Sequence, residues 1–164
     1  MKTYRIARNQ KEIIEIIEPG EYLVELIGEG AEAQVNGAFL AEDSQNISVN
    51  ITIHHKAKNT LANTTLRGAA RGKSKIKFFG RIVIDKDCGT SNSFLTERVL
   101  LLSDQASAEA IPELEILTDD VKCSHAASVT KIPDSQLFYL MSRGIPKKQA
   151  ENLIVEGFLG ETYL

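Results

Sequence analysis

The sequence predicts an all-β body with a small α segment: a β-helix of stacked rungs followed by two short C-terminal helices. Three observations predict it. Short β-rich runs follow one another from Glu21 to about Ser128 with no helical pattern between them. A unit of apolar strand plus Asp-bearing turn recurs along the chain, and the spacing becomes helical only after Val129. The chain therefore divides into a β-helix core at 1–130 and a helical segment at 131–164, which together make one structural unit.

The start of the chain reads two ways. "NQKEIIEIIEPG" places Asn9 ahead of Glu12 as a capping box would, and carries isoleucines at 13, 14, 16 and 17. The same isoleucines suit an edge strand, with "PG" turning into "EYLVEL", and strand is the preferred reading.

From there "EYLVELIG", "AQVNGAFLAED", "NISVNITIHH", "NTTLRGAA", "SKIKFFGRIVIDKD", "LTERVLLLSD", "PELEIL" and "VKCSHAAS" are strands separated by Gly, Asn, Asp or Pro. Within them "GRIVIDKD", "ERVLLLSD" and "PELEILTDD" repeat an apolar strand ending at Asp87, Asp104 and Asp119, at a short and nearly constant spacing. Such a period marks a solenoid, in which each rung buries its inward side chains on its neighbours. An irregular β-sandwich with hairpins is the alternative that the periodicity alone leaves open.

After Val129, Asp134 is positioned to cap a helix running through Leu137, Phe138, Leu140 and Met141 and stopped by Gly144. Pro146 then starts a second helix, with Ala150, Leu153 and Ile154 at helical spacing and Gly157 near its end. Helices this short need a partner surface, which the β body or another subunit can supply.

The composition narrows the function. With 19 basic and 22 acidic side chains in 164 residues, the net charge is −3, which gives no electrostatic footprint for nucleic acid or an anionic membrane. No apolar run is long enough to span a bilayer and no secretory signal is visible, so a cytoplasmic protein is expected. Cys88 and Cys123, far apart along the chain, lack the density of a disulfide scaffold and are expected to be reduced thiols. Two cysteines cannot make a four-thiolate site within one chain, so a metal here would also need imidazole, carboxylate or a second chain.

The chemistry concentrates in "DDVKCSHAAS". In an extended segment Cys123 and His125 point to one face, because side chains alternate with period two. Thiolate and imidazole both ligate iron, and a symmetric pair of chains would offer two of each. Against this, a free cysteine most often behaves as a small buried hydrophobe, and an interface histidine can simply satisfy hydrogen bonds.

The other chemically suggestive residues read more plainly. His54 and His55 are adjacent and must face apart on a strand, one in a rung and one at the surface. Cys88, in "DKDCGT", is an incidental thiol. "RGKS" at 71–74 departs from phosphate-loop spacing, since the earlier glycine is Gly68 and a strand follows. Asp119 and Asp120 face apart and close a solvated turn rather than share a proton. β-Helices also host polysaccharide lyases and hydrolases, but no ladder of carboxylates and basic residues on one exposed face supports an enzyme.

Taken together, "HHKAKNT", "LRGAARGKSKIKFFGRIVIDKDCGT" and "LLLSDQASAEAIPELEILTDDVKCSHAASVTKIPDSQLFYLMSRGIPKKQAENLIVEGF" resemble the SufB/SufD family, the scaffold subunits of SUF iron-sulfur cluster assembly. The resemblance covers about residues 47–159 and is most specific from Pro112 to Phe158. It implies a right-handed parallel β-helix, a dimer joined through the β-helices with a second copy or a SufB/SufD-like subunit, and C-terminal helices that dock the SufC-like ATPase. It implies no enzymatic activity of the subunit itself, which helps to assemble a nascent, transient iron-sulfur cluster and pass it on.

"VKCSHAAS" resembles the SufD form of the family motif, which implies that Cys123 and His125 lie at a subunit interface as metal and cluster ligands. The sulfur-accepting cysteine of the SufB form aligns with Thr96, so that thiol is missing here. Phe94 and Val99 stand where the family usually has Gln and Asn, which implies a more apolar inner lining. The family's long N-terminal region is mostly absent and the chain stops at Leu164, where family members usually continue with further helix. A structural or regulatory relative that pairs with a scaffold without binding the cluster is the alternative function.

Overall fold

The computed structural model describes residues 1–160 and is a parallel β-solenoid with two helices after it. The ten strands are β1 Lys2–Ile6, β2 Lys11–Ile16, β3 Gly20–Leu26, β4 Glu32–Ala41, β5 Asn46–His55, β6 Leu61–Ala70, β7 Lys75–Ile84, β8 Ser91–Leu101, β9 Ser107–Ile116 and β10 Val121–Lys131. The helices are α1 Asp134–Ser142 and α2 Lys147–Leu159. Strands alternate between two five-stranded sheets, ordered β1-β3-β5-β7-β9 and β10-β8-β6-β4-β2, and every pairing is parallel. The stacked-rung expectation is thus met and the sandwich with hairpins is not.

The repeat marked by the three aspartates is half a coil. Asp87 follows β7 in the first sheet, Asp104 follows β8 in the second, and Asp119 follows β9 back in the first. A full coil is the offset between paired strands: Asn46 pairs with Lys75 and Lys75 with Ser107, so the chain crosses both sheets before it returns to the same column. "NQKEIIEI" is strand rather than helix, with Asn9 in the turn before β2 at φ 57°. That left-handed conformation suits Asn, whose short polar side chain tolerates it.

In-register parallel pairing stacks inward side chains into columns. In the first sheet Val24, Ile53, Ile82 and Leu114 form one column and Leu26, His55, Ile84 and Ile116 another. In the second, Ile14, Val35, Thr64, Leu95 and His125 line up, beside Ala33, Ala62, Ser93 and Cys123. A third column there is Ile16, Gly37, Leu66, Glu97 and Ala127, and a fourth ends Phe39, Gly68, Val99 and Val129. Each fully buried aliphatic side chain contributes about 1.5–3 kcal/mol relative to exposure, so the columns are the core.

Among the described residues, the columns stop without a cap. Ile82, Ile84 and Val99 are at most 1% exposed, yet the residues stacked on them, Leu114, Ile116 and Val129, are 40%, 38% and 39% exposed. The inner face of the last coil, β9 with β10, is therefore open.

Both helices begin at prolines. Pro133 is the N-cap of α1, so Asp134 is its first residue rather than its cap, and no side chain caps that end. Gly144, at φ 87°, follows the α1 C-cap Arg143, matching the predicted stop. Pro146 is the N-cap of α2, which runs past Gly157 to Leu159 and ends at Gly160, φ 79°.

The β body is the surface that α2 uses. Val155 and Leu159 pack with Ala69 and Leu100 on the outer side of the second sheet. In contrast α1 buries no residue, and Phe138, Tyr139, Met141 and Leu153 stand exposed. Residues 161–164, the end of the run that prompted the expectation about the C-terminus, lie outside the described residues.

Candidate functional site

β10 is the edge strand of the second sheet, and its register on β8 places its functional side chains. Cys123 pairs with Ser93 and His125 with Leu95. Ser93 and Leu95 are buried inward residues, and in-register parallel neighbours share a face. Cys123 and His125 therefore both face the inside of the solenoid at its open end, as alternation predicts. Cys123 is half-buried and His125 exposed, because no further coil covers them.

A second thiol lies in the same corner. Cys88, in the turn after β7, is buried with Ile82, Ile84 and Leu95, and Val121 and Cys123 pack against that cluster. The sequence reading as an incidental thiol missed this, because the long stretch between the cysteines gives no hint that one coil of the solenoid brings their surroundings together. Both are free thiols. Burial pushes both above the usual thiol range, and Asp85 and Asp87 push Cys88 further. In the isolated chain both are thus held in the protonated form, and ligation requires that a proton leave.

The residue that sequence reasoning passed over altogether is Glu97. It is fully buried on the inner face of β8, below Ala127 in its column, and neither carboxyl oxygen has a hydrogen-bond partner among the described residues. Burial raises its pKa to about 7. Space for it comes from Gly80 on the facing sheet: a Cβ there would lie 2.7 Å from Glu97 Oε1 and 2.5 Å from Leu95 Cδ2. The available signal was strand alternation, which sets Ser93, Leu95, Glu97 and Val99 on one face.

That alternation corrects the reading of the lining. Phe94 is 38% exposed and points outward, so of the two residues expected to make the interior more apolar only Val99 lines it. The interior instead gains a carboxyl group. Thr96, in register with Thr65 and Ala126, also faces outward, away from Cys123 and His125.

The histidine pair divides as expected. His54 is on the surface side, its Nε2 2.8 Å from Asp85 Oδ1. His55 is fully buried in its column, with Nδ1 2.7 Å from Thr60 Oγ1, which in turn lies 2.8 Å from Ser91 Oγ. Its Nε2 has no partner among the described residues, and burial, with His54 adding, lowers its pKa to about 4.

"RGKS" forms the turn between β6 and β7, with Gly72 at φ 73°. Asp119 and Asp120 are exposed in the turn before β10, where the Asp120 carbonyl accepts the Thr90 N–H. Among the described residues, no three His, Cys, Asp or Glu side chains sit close enough together to hold a metal ion, and no helix is long and apolar enough to cross a membrane.

Comparison with known proteins identifies the family. Residues 17–158 match the family described as SUF system FeS cluster assembly, SufBD core domain. An iron-sulfur cluster assembly SufBD family protein of Mycobacterium bovis is 34% identical over 146 residues, 84% of this chain and 37% of the relative. One from Mycobacterium leprae is 32% identical over 146 residues, with the same coverage of each. Another, from Mycobacterium tuberculosis, is 32% identical over 134 residues, 82% of this chain and 16% of the relative. The chain thus spans less than two-fifths of the length of these relatives. It belongs to the SufBD family of iron-sulfur cluster assembly proteins.

Proposed function

We propose that this chain is a non-enzymatic scaffold subunit on which a nascent iron-sulfur cluster is assembled and from which it is transferred. The observation that carries the reading is the placement of Cys123 and His125 on the inner face of an uncapped last coil. Two ligands from one chain leave the cluster short, so the remaining ligands come from a subunit that closes the open end, either a SufB/SufD-like protein or a second copy. Leu114, Ile116 and Val129 give that partner an apolar rim to cover.

The exposed aromatic surface of α1, Phe138 and Tyr139, suits a SufC-like ATPase. A groove of about 360 Å³ lined by Ser135, Gln136, Tyr139, Leu140 and Ile154 lies between the helices, next to exposed Phe138. Two free thiols suit a reducing, cytoplasmic setting.

A second reading, a subunit that pairs with a scaffold and binds no cluster, draws support from thiols that burial holds protonated. Anaerobic co-purification with the SufB-like and ATPase subunits of the same genome separates the two. Iron in the wild-type complex and none in the Cys123→Ser/His125→Ala complex supports the first. Equal iron in both supports the second.

A further inference from the structure

A carboxyl group with no partner inside an apolar solenoid is destabilising unless some state of the molecule uses it. Neither Glu97 carboxyl oxygen has a hydrogen-bond partner among the described residues. Along β8 its inward neighbours are Leu95 and Val99, below it is Leu66 and above it Ala127. Across the interior stand Gly80 and, in the column above it, Pro112. None of these side chains has a hydrogen to donate.

Two residues on diagonals to it do. Thr64, two before Leu66 on β6, is buried with a hydroxyl that has no partner among the described residues. His125 precedes Ala127 by two on the same inner face, which makes it the diagonal neighbour of Glu97 on the open side. From a strand separation of about 4.8 Å and a rise of about 3.3 Å per residue, the Cβ atoms of His125 and Glu97 are about 8 Å apart. A glutamate and a histidine extended towards each other close that span to a hydrogen bond. Cys123 lies a further two positions along, and Ser93 is separated from Glu97 by Leu95. The methyl of Ala127 and the bare Cα of Gly80 leave the carboxyl room to turn.

We infer that Glu97 is a positioning residue for His125: when one ring nitrogen of His125 binds a metal ion, the other donates its N–H to the Glu97 carboxyl group. The inference rests on the reading of His125 as a ligand in the proposed function. Metal-bound histidines nearly always donate their second N–H to a carboxylate, carbonyl or water, which fixes the tautomer and raises the basicity of the ligating nitrogen. At the mouth of the open coil the His125 side chain is exposed, and an anchor buried one coil below keeps the ring from swinging into solvent.

The test uses the whole chain, anaerobic and reduced, with Co²⁺ and Zn²⁺ as probes. Co²⁺ affinity is read from the thiolate-to-cobalt absorption of wild type, Glu97→Leu, Glu97→Gln, His125→Ala and Cys123→Ser. Glu97→Leu is expected to bind roughly 10- to 100-fold more weakly than wild type. Glu97→Gln, which keeps an acceptor oxygen, is expected to retain most of the affinity. With Zn²⁺ bound, the wild type is expected to show a solvent-protected His125 ring N–H resonance with a nuclear Overhauser effect to the Glu97 side chain, absent in Glu97→Leu.

Equal Co²⁺ affinity in wild type and Glu97→Leu, with binding lost in His125→Ala, overturns the inference and leaves the site reading standing. Binding that is indifferent to His125→Ala and Cys123→Ser overturns the site reading and this inference with it. Should Glu97→Leu fail to fold, the wild-type zinc spectrum decides alone, and a His125 ring N–H without contact to Glu97 overturns the inference.

Discussion

His55 and Glu97 face the interior of the solenoid from opposite sheets, each fully buried and each with side-chain atoms that have no partner among the described residues. Burial moves them in opposite directions, since it disfavours the charged form of both an imidazole and a carboxyl. The Glu97 pKa rises from 4.5 to about 7. Its contribution to stability is therefore complete below pH 4.5 and lost as pH rises through 7. The His55 pKa falls from 6.5 to about 4, so its contribution is present above pH 6.5 and lost as pH falls through 4.

The two slopes oppose each other between pH 4.5 and 6.5, each on the order of 3 kcal/mol over its range. Relative to wild type, Glu97→Gln is expected to show stability rising with pH from 4.5 to 7, because it lacks the group whose contribution is lost there. His55→Leu is expected to show it falling, relative to wild type, from pH 4 to 6.5. Urea unfolding midpoints at half-unit pH steps give the difference curves, in which the exposed carboxylates common to all three proteins cancel. Three parallel curves would mean that neither group titrates within the fold.

Gly80 and Glu97 are coupled by space. A methyl at position 80 meets Leu95 Cδ2 at 2.5 Å and Glu97 Oε1 at 2.7 Å, and the side chains below and beside them are already packed. Gly80→Ala is expected to destabilise by about 1–3 kcal/mol, as overpacking does. In a Glu97→Ala background the cost is expected to fall, because one of the two obstructions is gone and only Leu95 must shift. Denaturant unfolding of the four proteins of this double-mutant cycle gives the coupling, and strictly additive effects would contradict the shared cavity.

The features the sequence makes plain are those with a local cause. Alternation sets Cys123 and His125 on one face and splits His54 from His55, and the turn residues Asp87, Asp104 and Asp119 reveal the solenoid. What stays hidden depends on which strand lies beside which. The spacing of those aspartates does not say that successive strands belong to different sheets, so a coil looks half its true length. Without that pairing, nothing tells that Glu97 sits beneath Ala127 rather than in solvent, or that Cys88 shares a cluster with Cys123. Local charge and propensity would assign Glu97 to the surface, where most glutamates are.

The open last coil predicts association. Leu114, Ile116 and Val129 continue buried columns but are themselves more than a third exposed. Val129→Lys or Leu114→Lys is expected to leave folding intact, since both positions are more than a third exposed and no further coil packs on them among the described residues. Either change is expected to weaken pairing with a copy or a SufB-like partner by roughly tenfold or more, because burying the new charge is costly. Sedimentation over a concentration series, alone and with the partner, reads the effect. Unchanged association in both variants would move the interface away from this end of the solenoid.

α2 is anchored by Ala150, Val155 and Leu159, all buried, whereas α1 buries nothing and carries Phe138 at 74% and Tyr139 at 57% exposure. Two large aromatics held out in water add little to the stability of the isolated chain, so truncating them should change it by less than about 0.5 kcal/mol. At an interface the same side chains are typical anchors, each worth about 2 kcal/mol or more. Phe138→Ala with Tyr139→Ala is therefore expected to leave the unfolding midpoint unchanged while weakening capture of the SufC-like ATPase by well over tenfold in a titration. Loss of stability with unchanged ATPase binding would reverse that assignment and make α1 a structural cap.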